Sequence, residues 1–361
     1  MTAAAFWEQL RSDGLVEGDY APPKRLDSPW FVRVMLGFAG WIGALFLLLF
    51  VGAAFAFVMS SASSSLVLGA MCCGGALLLF RGFGDNDFTE QFALAISIAG
   101  QVMILIGLAQ AFEVNEPPFY LVTAAIEAGL VLLIPNFLHR ALCSAGSALA
   151  FALAISLLEL HGLAAPVIAI FIAAIWLDPR LWAGSGRLWR PIGYGLVLAL
   201  LLVETFRLFD LQTWFGLNNV NRSGMEIYGP LIGRAVTGAL LVWVAFAIGA
   251  RENSSPRVRL AIAAGAALFG LIALLAPGLA SAVLILLLGF SAGNRLLMAL
   301  GVLALLGFVS HYYYSLHATL LEKSGLLALT GLVLIAAYAA LRLFLPAEPD
   351  ERASAPEPAN A

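Results

Sequence analysis

The feature that most constrains the fold of this chain is a succession of apolar runs separated by short breaks. A membrane-spanning helix needs about 20 apolar residues, with about 17 as the usual lower end. Twelve runs reach or approach that length. Only 11% of the residues are charged, against roughly 25% in an ordinary globular domain, so the chain lacks the polar surface of a soluble fold. The pattern predicts an all-α, polytopic transmembrane helix bundle of about twelve spans.

The runs differ in length, which leaves the count open between ten and twelve. Four of them are long enough to cross the membrane as ordinary helices: residues 34–59, 92–112, 231–249 and 326–345. Shorter runs are expected to be tilted hairpin partners, helices that continue into the headgroups, or re-entrant segments. These runs are residues 66–80, 120–134, 141–158, 163–177, 192–206, 260–275, 279–290 and 296–310.

Basic residues test the count, because Lys and Arg concentrate in cytoplasmic loops. With the N-terminus inside and twelve crossings, 15 of the 19 basic residues fall on the cytoplasmic side. The breaks at 60–65, 113–118, 159–162 and 276–278 are then outside and contain none. Removing one crossing would exchange the inside and outside assignments of every later loop. Basic residues would then no longer concentrate in the loops on one side. We therefore predict an even number of spans with both termini cytoplasmic.

Three parts of the chain differ in composition. Residues 1–33 form a polar cytoplasmic segment in which Phe6, Trp7 and Leu10 share one face of a short amphipathic helix. That helix lies either on the membrane or on cytoplasmic loops of its own bundle. Residues 34–345 form the helix bundle. Residues 346–361 are rich in Pro, Ala and Glu without an apolar face, which predicts a disordered cytoplasmic tail.

Composition and motifs exclude several classes of function. A net charge of −3 provides no basic field for nucleic acid. The sequence contains no metalloprotease, nucleophile-elbow, P-loop or dinucleotide-binding motif, so no catalytic residue, cofactor or metal is predicted. Packing roles are expected for the cysteines and interfacial positions for the histidines. These residues are Cys72, Cys73, Cys143, His139, His161, His311 and His317.

Glu127 is the most informative polar residue, because it lies near the middle of an apolar run. An ionised side chain at the bilayer centre costs about 3 kcal/mol. Glu127 is therefore either a neutral acid that holds two helices together or a proton or cation site. Gln101 and Gln110 are nine residues apart in the same apolar run. They either line a polar groove with Glu127 or hydrogen-bond across the bundle.

Two further groups lie towards the predicted outer side. Glu204 precedes Arg207 by three residues on one helical face, which predicts an ion pair near the outer boundary. The second group combines aromatic and basic side chains, which suits either an interfacial anchor for the last span or an outward docking surface. Its members are His311, Tyr312, Tyr313, Tyr314, His317 and Lys323.

Three segments resemble a known family. They are FWEQLRSDGLVEG with the following SPWFVRVMLGFAGWIGALFLL, then FTEQFALAISIAGQ, and HYYYSLHATLLEKSGLLALTGLVLIAAYAALR. They are similar to bacterial multi-pass membrane proteins grouped as the "domain of unknown function" family numbered 4401. The resemblance runs from about Phe6 to Leu345. It implies a bacterial inner-membrane location and a neighbourhood of other membrane proteins, and it supplies no activity and no catalytic residue.

Three classes of function follow from these features. The first is a membrane module that works with partner proteins, as a scaffold or sensor in contact with the lipid bilayer. The second is a transporter or channel for a small solute or a proton that uses Glu127. The third is an intramembrane enzyme. A polar cavity that reaches Glu127 would favour transport, and a dry core with an exposed apolar flank would favour the partner-binding module.

Overall fold

The computed structural model describes residues 3–12, 30–54, 61–82, 87–208, 224–252 and 255–315, together with positions 321, 324, 328 and 335. In this part of the chain the structure is all α-helical, as predicted, without a β-strand. The helices are α1 (Ala3–Ser12), α2 (Trp30–Ala54), α3 (Ala62–Gly82), α4 (Asp87–Ala111), α5 (Pro117–Leu133), α6 (Phe137–Leu157), α7 (Ala164–Leu177), α8 (Pro179–Leu208), α9 (Gly224–Arg251), α10 (Pro256–Ala273), α11 (Leu279–Ser291) and α12 (Arg295–Ser315).

Each of the first eleven apolar runs coincides with one helix, from α2 to α12. The twelfth run and the predicted tail lie outside the described residues. The largest difference from the expected boundaries is in α8, which begins at Pro179 rather than near residue 192. Residues 179–190 are therefore helical and not an irregular loop, with a break in helical geometry at Ser185 (φ −140°, ψ 32°).

Seven helices are long and apolar enough to cross a membrane by length and composition: α3, α4, α6, α8, α9, α10 and α12. The described portions of α2, α5, α7 and α11 are shorter apolar helices. Twelve crossings and cytoplasmic termini therefore stay predictions.

The chain divides into two compact units, Met1–Ser60 with Val67–Ile104, and Ser61–Leu66 with Leu105–Ala361. In the first unit α3 and α4 approach closely at Gly69 and Gly100. A Cβ atom on Gly69 would lie 2.6 Å from the Gly100 carbonyl oxygen. Small residues at such contacts allow helix backbones to approach closely.

The core of the second unit surrounds its two shortest helices, α7 and α11. Ten of the 14 residues of α7 are buried, and so are eight of the 13 residues of α11. A helix that is apolar on all sides belongs in an interior. Ile172 on α7 and Leu284 on α11 are fully buried in the same cluster as Leu200 of α8 and Val244 of α9. At 1.5 Å per residue, α7 and α11 are only about 21 and 20 Å long.

Helix termini of the second unit gather at two ends. At one end Gly162, with φ +83°, lies against Gly229 and Pro230 of α9, and the Arg234 side chain donates to the Leu274 carbonyl oxygen. At the other end the last residues of α7 and α11 line a common cavity with the first residues of α6, α8 and α12. We call this second end the cavity end. The short helices α7 and α11 therefore each run from one end of the unit to the other.

Candidate functional site

Glu127 lies in the contact between α5 and α6. Its side chain is 7% exposed, and its carboxyl group packs over Gly146 of α6, where an added Cβ would lie 3.6 Å from Oε2. The Cys143 thiol, also on α6, forms a hydrogen bond with the carboxyl group. Oε2 is buried without a hydrogen-bond partner among the described groups. The predicted burial of Glu127 against another helix is confirmed, and its charge state stays a prediction.

His139 extends this polar contact along α6. The Cys143 sulfur lies 3.6 Å from both ring nitrogens of His139, one helical turn away. His139 is 1% exposed, and its expected interfacial position stays a prediction. The histidine is close to the N-terminus of α6, where Asn136 accepts a hydrogen bond from its backbone N–H, but packing of neighbouring helices covers the ring. Glu127, Cys143 and His139 thus form a buried polar cluster that the sequence does not indicate.

Glu204 joins α8 to α11. It is 3% exposed, and its Oε1 accepts a hydrogen bond of 2.8 Å from Ser281 Oγ. This partner is on another helix and differs from the predicted one, so the ion pair of Glu204 with Arg207 stays a prediction. The second carboxyl oxygen, Oε2, has no hydrogen-bond partner among the described groups.

The two glutamines of α4 differ in environment. Gln101 is half-buried, and its amide donates to Ser97 Oγ at 3.3 Å, one turn earlier on the same helix. Gln110 is exposed. Their predicted grouping with Glu127 stays a prediction.

The three predicted boundary tyrosines continue α12 instead of following it. The helix extends to Ser315, so Tyr312, Tyr313 and Tyr314 form its last turn together with His311. Tyr314 is 80% exposed, and its ring makes an edge contact of 5.5 Å with Tyr313. His317 and Lys323 lie outside the described residues, and the choice between anchor and docking surface stays open.

A cavity of about 1190 Å³ occupies the cavity end of the second unit. It lies where the short helices α7 and α11 stop, at Leu177 and Ser291, while neighbouring helices line its sides. Aromatic rings hold this region together: Trp176 packs on Trp182 at 4.8 Å and against Tyr194 at 5.4 Å. Asn294 Nδ2 donates to the Tyr194 hydroxyl at 2.6 Å and so connects the residue before α12 to α8. The cavity is therefore a consequence of short central helices inside longer neighbours.

Basic side chains from four separate breaks of the sequence surround this cavity. Arg140 is half-buried and fixed, since its Nε donates to the Val131 carbonyl oxygen at 3.0 Å and its Nη1 to the Arg187 carbonyl oxygen at 3.1 Å. The other four are exposed. The five are Arg140, Arg187, Arg190, Arg251 and Arg295. Charge counting assigns all of them to the cytoplasmic side, but it does not indicate that they meet around one cavity.

These features define a class of protein: a bundle of apolar helices with carboxyl groups buried at helix contacts and a basic cavity at one end. Within that class the chain belongs to the family described as Domain of unknown function (DUF4401), whose model matches residues 29–343. The family expected from the resemblance is thereby confirmed. No curated protein and no solved structure matches the chain.

Proposed function

We propose that the protein is a multi-pass membrane protein of a bacterial inner membrane, with twelve spans and both termini in the cytoplasm. Eleven of the apolar runs coincide with helices, and α6 to α12 alternate between the two ends of their unit. Five arginines meet at one of those ends, which is the end that the positive-inside rule assigns to the cytoplasm. This alternation supports complete crossings by α7 and α11 despite their length.

Within that membrane we propose a module that works with partner proteins, as a scaffold or a sensor. The observation that carries this proposal is that each of the two buried carboxyl groups contacts a polar residue of a neighbouring helix. Glu127 meets Cys143 across the α5–α6 contact, and Glu204 meets Ser281 across the α8–α11 contact. Each acid therefore joins one pair of helices. A transport route instead requires polar groups in series through the membrane.

Proton flux tests this proposal. The full-length protein and its Glu127→Gln variant are reconstituted into vesicles that contain a pH-sensitive dye, and internal acidification is followed after an external acid pulse. We expect equal rates for both proteins and for empty vesicles. We also expect site-specific photo-crosslinking in bacterial membranes to capture the same partner proteins with either form. A flux that depends on Glu127 would contradict the module.

A transporter or channel for a proton or small solute is the second candidate, and one observation favours it. Oε2 of Glu127 and Oε2 of Glu204 are both buried without a hydrogen-bond partner among the described groups. Buried polar atoms in proteins are nearly always satisfied, and a bound proton or cation would satisfy these oxygens. In that case Glu127→Gln stops the flux while the amount of folded protein stays unchanged.

A further inference from the structure

The cavity described above carries a strong surplus of positive charge. Five arginines line it, and of its described lining residues only Glu252 carries a carboxylate. Helix termini of both polarities also reach it, namely the C-termini of α7, α9 and α11 and the N-termini of α6, α8 and α12. Each terminus carries about half an elementary charge, so these contributions nearly cancel. The lining side chains therefore leave four formal positive charges in surplus.

The type of cation indicates the type of anion. A guanidinium group presents its N–H donors as a rigid fork that matches the oxygens of phosphate or carboxylate. Arg140 is held in place by two backbone carbonyl oxygens before any ligand arrives, so less conformational entropy is lost on binding. A single carboxylate has two oxygens and one charge, which one arginine can match. Five arginines around one cavity suit a phosphate group, with its larger charge and number of oxygens.

The cavity also offers apolar surface beside the charge. Phe137 and Leu296 line it and are 50% and 58% exposed, although both are large apolar residues. Trp182 adds a half-buried ring. A ligand with a phosphate group and an apolar portion would contact both kinds of surface. Under the proposed topology the cavity lies at the depth of the inner-leaflet headgroups, where basic pockets between helices bind anionic lipids.

We propose that this cavity binds a phosphate-bearing anion, supplied either by the headgroup of an anionic phospholipid or by a phosphate compound of the cytoplasm. Arg140 and Arg295 approach from the N-termini of α6 and α12, and Arg187 and Arg190 from the first part of α8. The proposal does not depend on whether the protein acts as a module or a transporter, because neither buried carboxyl group lines the cavity.

Thermal unfolding of the full-length protein in neutral detergent provides the test. The midpoint is followed by tryptophan fluorescence during titration with phosphatidylglycerol, with phosphatidylcholine as the neutral-lipid arm and inorganic phosphate as the lipid-free arm. A ligand that binds only the folded protein raises the midpoint with its concentration. We expect phosphatidylglycerol or inorganic phosphate, and not phosphatidylcholine, to do so. A response to phosphatidylglycerol alone assigns the lipid headgroup, and a response to inorganic phosphate assigns a cytoplasmic phosphate compound.

Matched variants separate the cavity from general basic charge. Hydrogen bonds to charged groups contribute enough that each lost arginine weakens binding by about tenfold. Arg187→Gln and Arg295→Gln should each show that loss. Arg257→Gln removes an exposed arginine from the N-terminus of α10, outside the cavity lining, and should bind as wild type does. Arg295→Lys keeps the positive charge but lacks the forked donors of arginine. It serves as the substitute variant at this position if Arg295→Gln fails to fold. Equal weakening by Arg257→Gln, or equal response to phosphatidylcholine, would overturn the proposal.

Discussion

Ser281 on α11 donates a hydrogen bond of 2.8 Å to Glu204 on α8, and both side chains are buried. The two residues are 77 positions apart in the chain, so this single contact connects two helices that enter the bundle separately. Most neighbouring contacts of these helices are apolar, as at Leu200 and Leu284. The hydrogen bond requires a defined geometry between α8 and α11, whereas the apolar contacts around it do not.

Replacing Ser281 with Ala should destabilise the protein by about 1–3 kcal/mol, because it leaves a buried acceptor unsatisfied. Thermal unfolding in detergent measures the change. Ser291→Ala is the matched control on the same helix, since Ser291 is exposed and its hydroxyl donates to the Leu288 carbonyl within α11. If Ser291→Ala lowers the unfolding midpoint as much as Ser281→Ala does, the contact with Glu204 does not contribute to stability.

Substitutions of Glu127 should separate a neutral acid from an ionised one. Glu127→Gln should unfold close to wild type, because a protonated carboxyl group and an amide have similar shape and hydrogen-bonding reach. Glu127→Leu should lose about 1 kcal/mol, the net value of a typical hydrogen bond. Both are measured as unfolding midpoints together with abundance in the membrane. If Gln proves as damaging as Lys, Glu127 is ionised and paired, and the neutral-acid interpretation fails.

Gly195 should tolerate no side chain. A Cβ atom there would overlap Ser144 Oγ and the Ala141 carbonyl oxygen, which belong to the facing helix α6. Gly195→Ala should therefore separate α6 from α8 and lower stability by about 1–3 kcal/mol, the usual cost of overpacking. Gly129→Ala has no atom within 4 Å of the added carbon and should leave the unfolding midpoint unchanged or slightly raised.

The topology predicts opposite labelling of two serines. Single cysteines at positions 185 and 223, in a background without Cys72, Cys73 and Cys143, are treated from outside with a membrane-impermeant thiol reagent. Position 223 should react and position 185 should not, because twelve crossings that start from a cytoplasmic N-terminus place residues 207–230 outside and residues 178–190 inside. The reverse pattern would invert the proposed orientation.

The tyrosines at the end of α12 should behave as a boundary anchor. Tyr312→Phe and Tyr314→Phe retain the rings and should leave membrane abundance unchanged. Substitution by Ala removes the rings from an interface that aromatic side chains favour, and abundance should fall. Crosslinked partners are measured in the same cells. Loss of partners at normal abundance would instead identify an outward docking surface.

Helix positions could be predicted because an apolar run of sufficient length has few alternatives in a membrane. The apolar runs 163–177 and 192–206 leave residues 179–190 between them, because an apolar run marks only the part of a helix that lies in hydrocarbon. The helical segment before Pro191 contains several polar and charged residues, so it does not register as an apolar run. The spacing of Phe6, Trp7 and Leu10 predicts an amphipathic helix near the N-terminus, and the structure has the helix α1 over these residues.

Sites were harder to predict than helices. The burial of Glu127 follows from its position within a run, but its contact with Cys143 depends on how α5 packs against α6. His139 lies next to Arg140 in the sequence, and this neighbour suggests an interface, although the two side chains have different surroundings. The arginine cavity depends on two central helices that end before their neighbours do. A local sequence pattern does not show where one helix ends relative to the helices packed around it.

The shortness of α7 and α11 also bears on biogenesis. At about 21 and 20 Å these segments are shorter than the roughly 30 Å hydrocarbon layer, so neither matches the bilayer alone as it leaves the ribosome. Under the proposed topology each becomes stable in the membrane only when neighbouring helices shield it from lipid, chiefly α8 and α9 for α7 and α12 and α9 for α11. Under that topology, insertion and tertiary packing are coupled for these two helices, and synthesis of the following helix completes the insertion of the one before it.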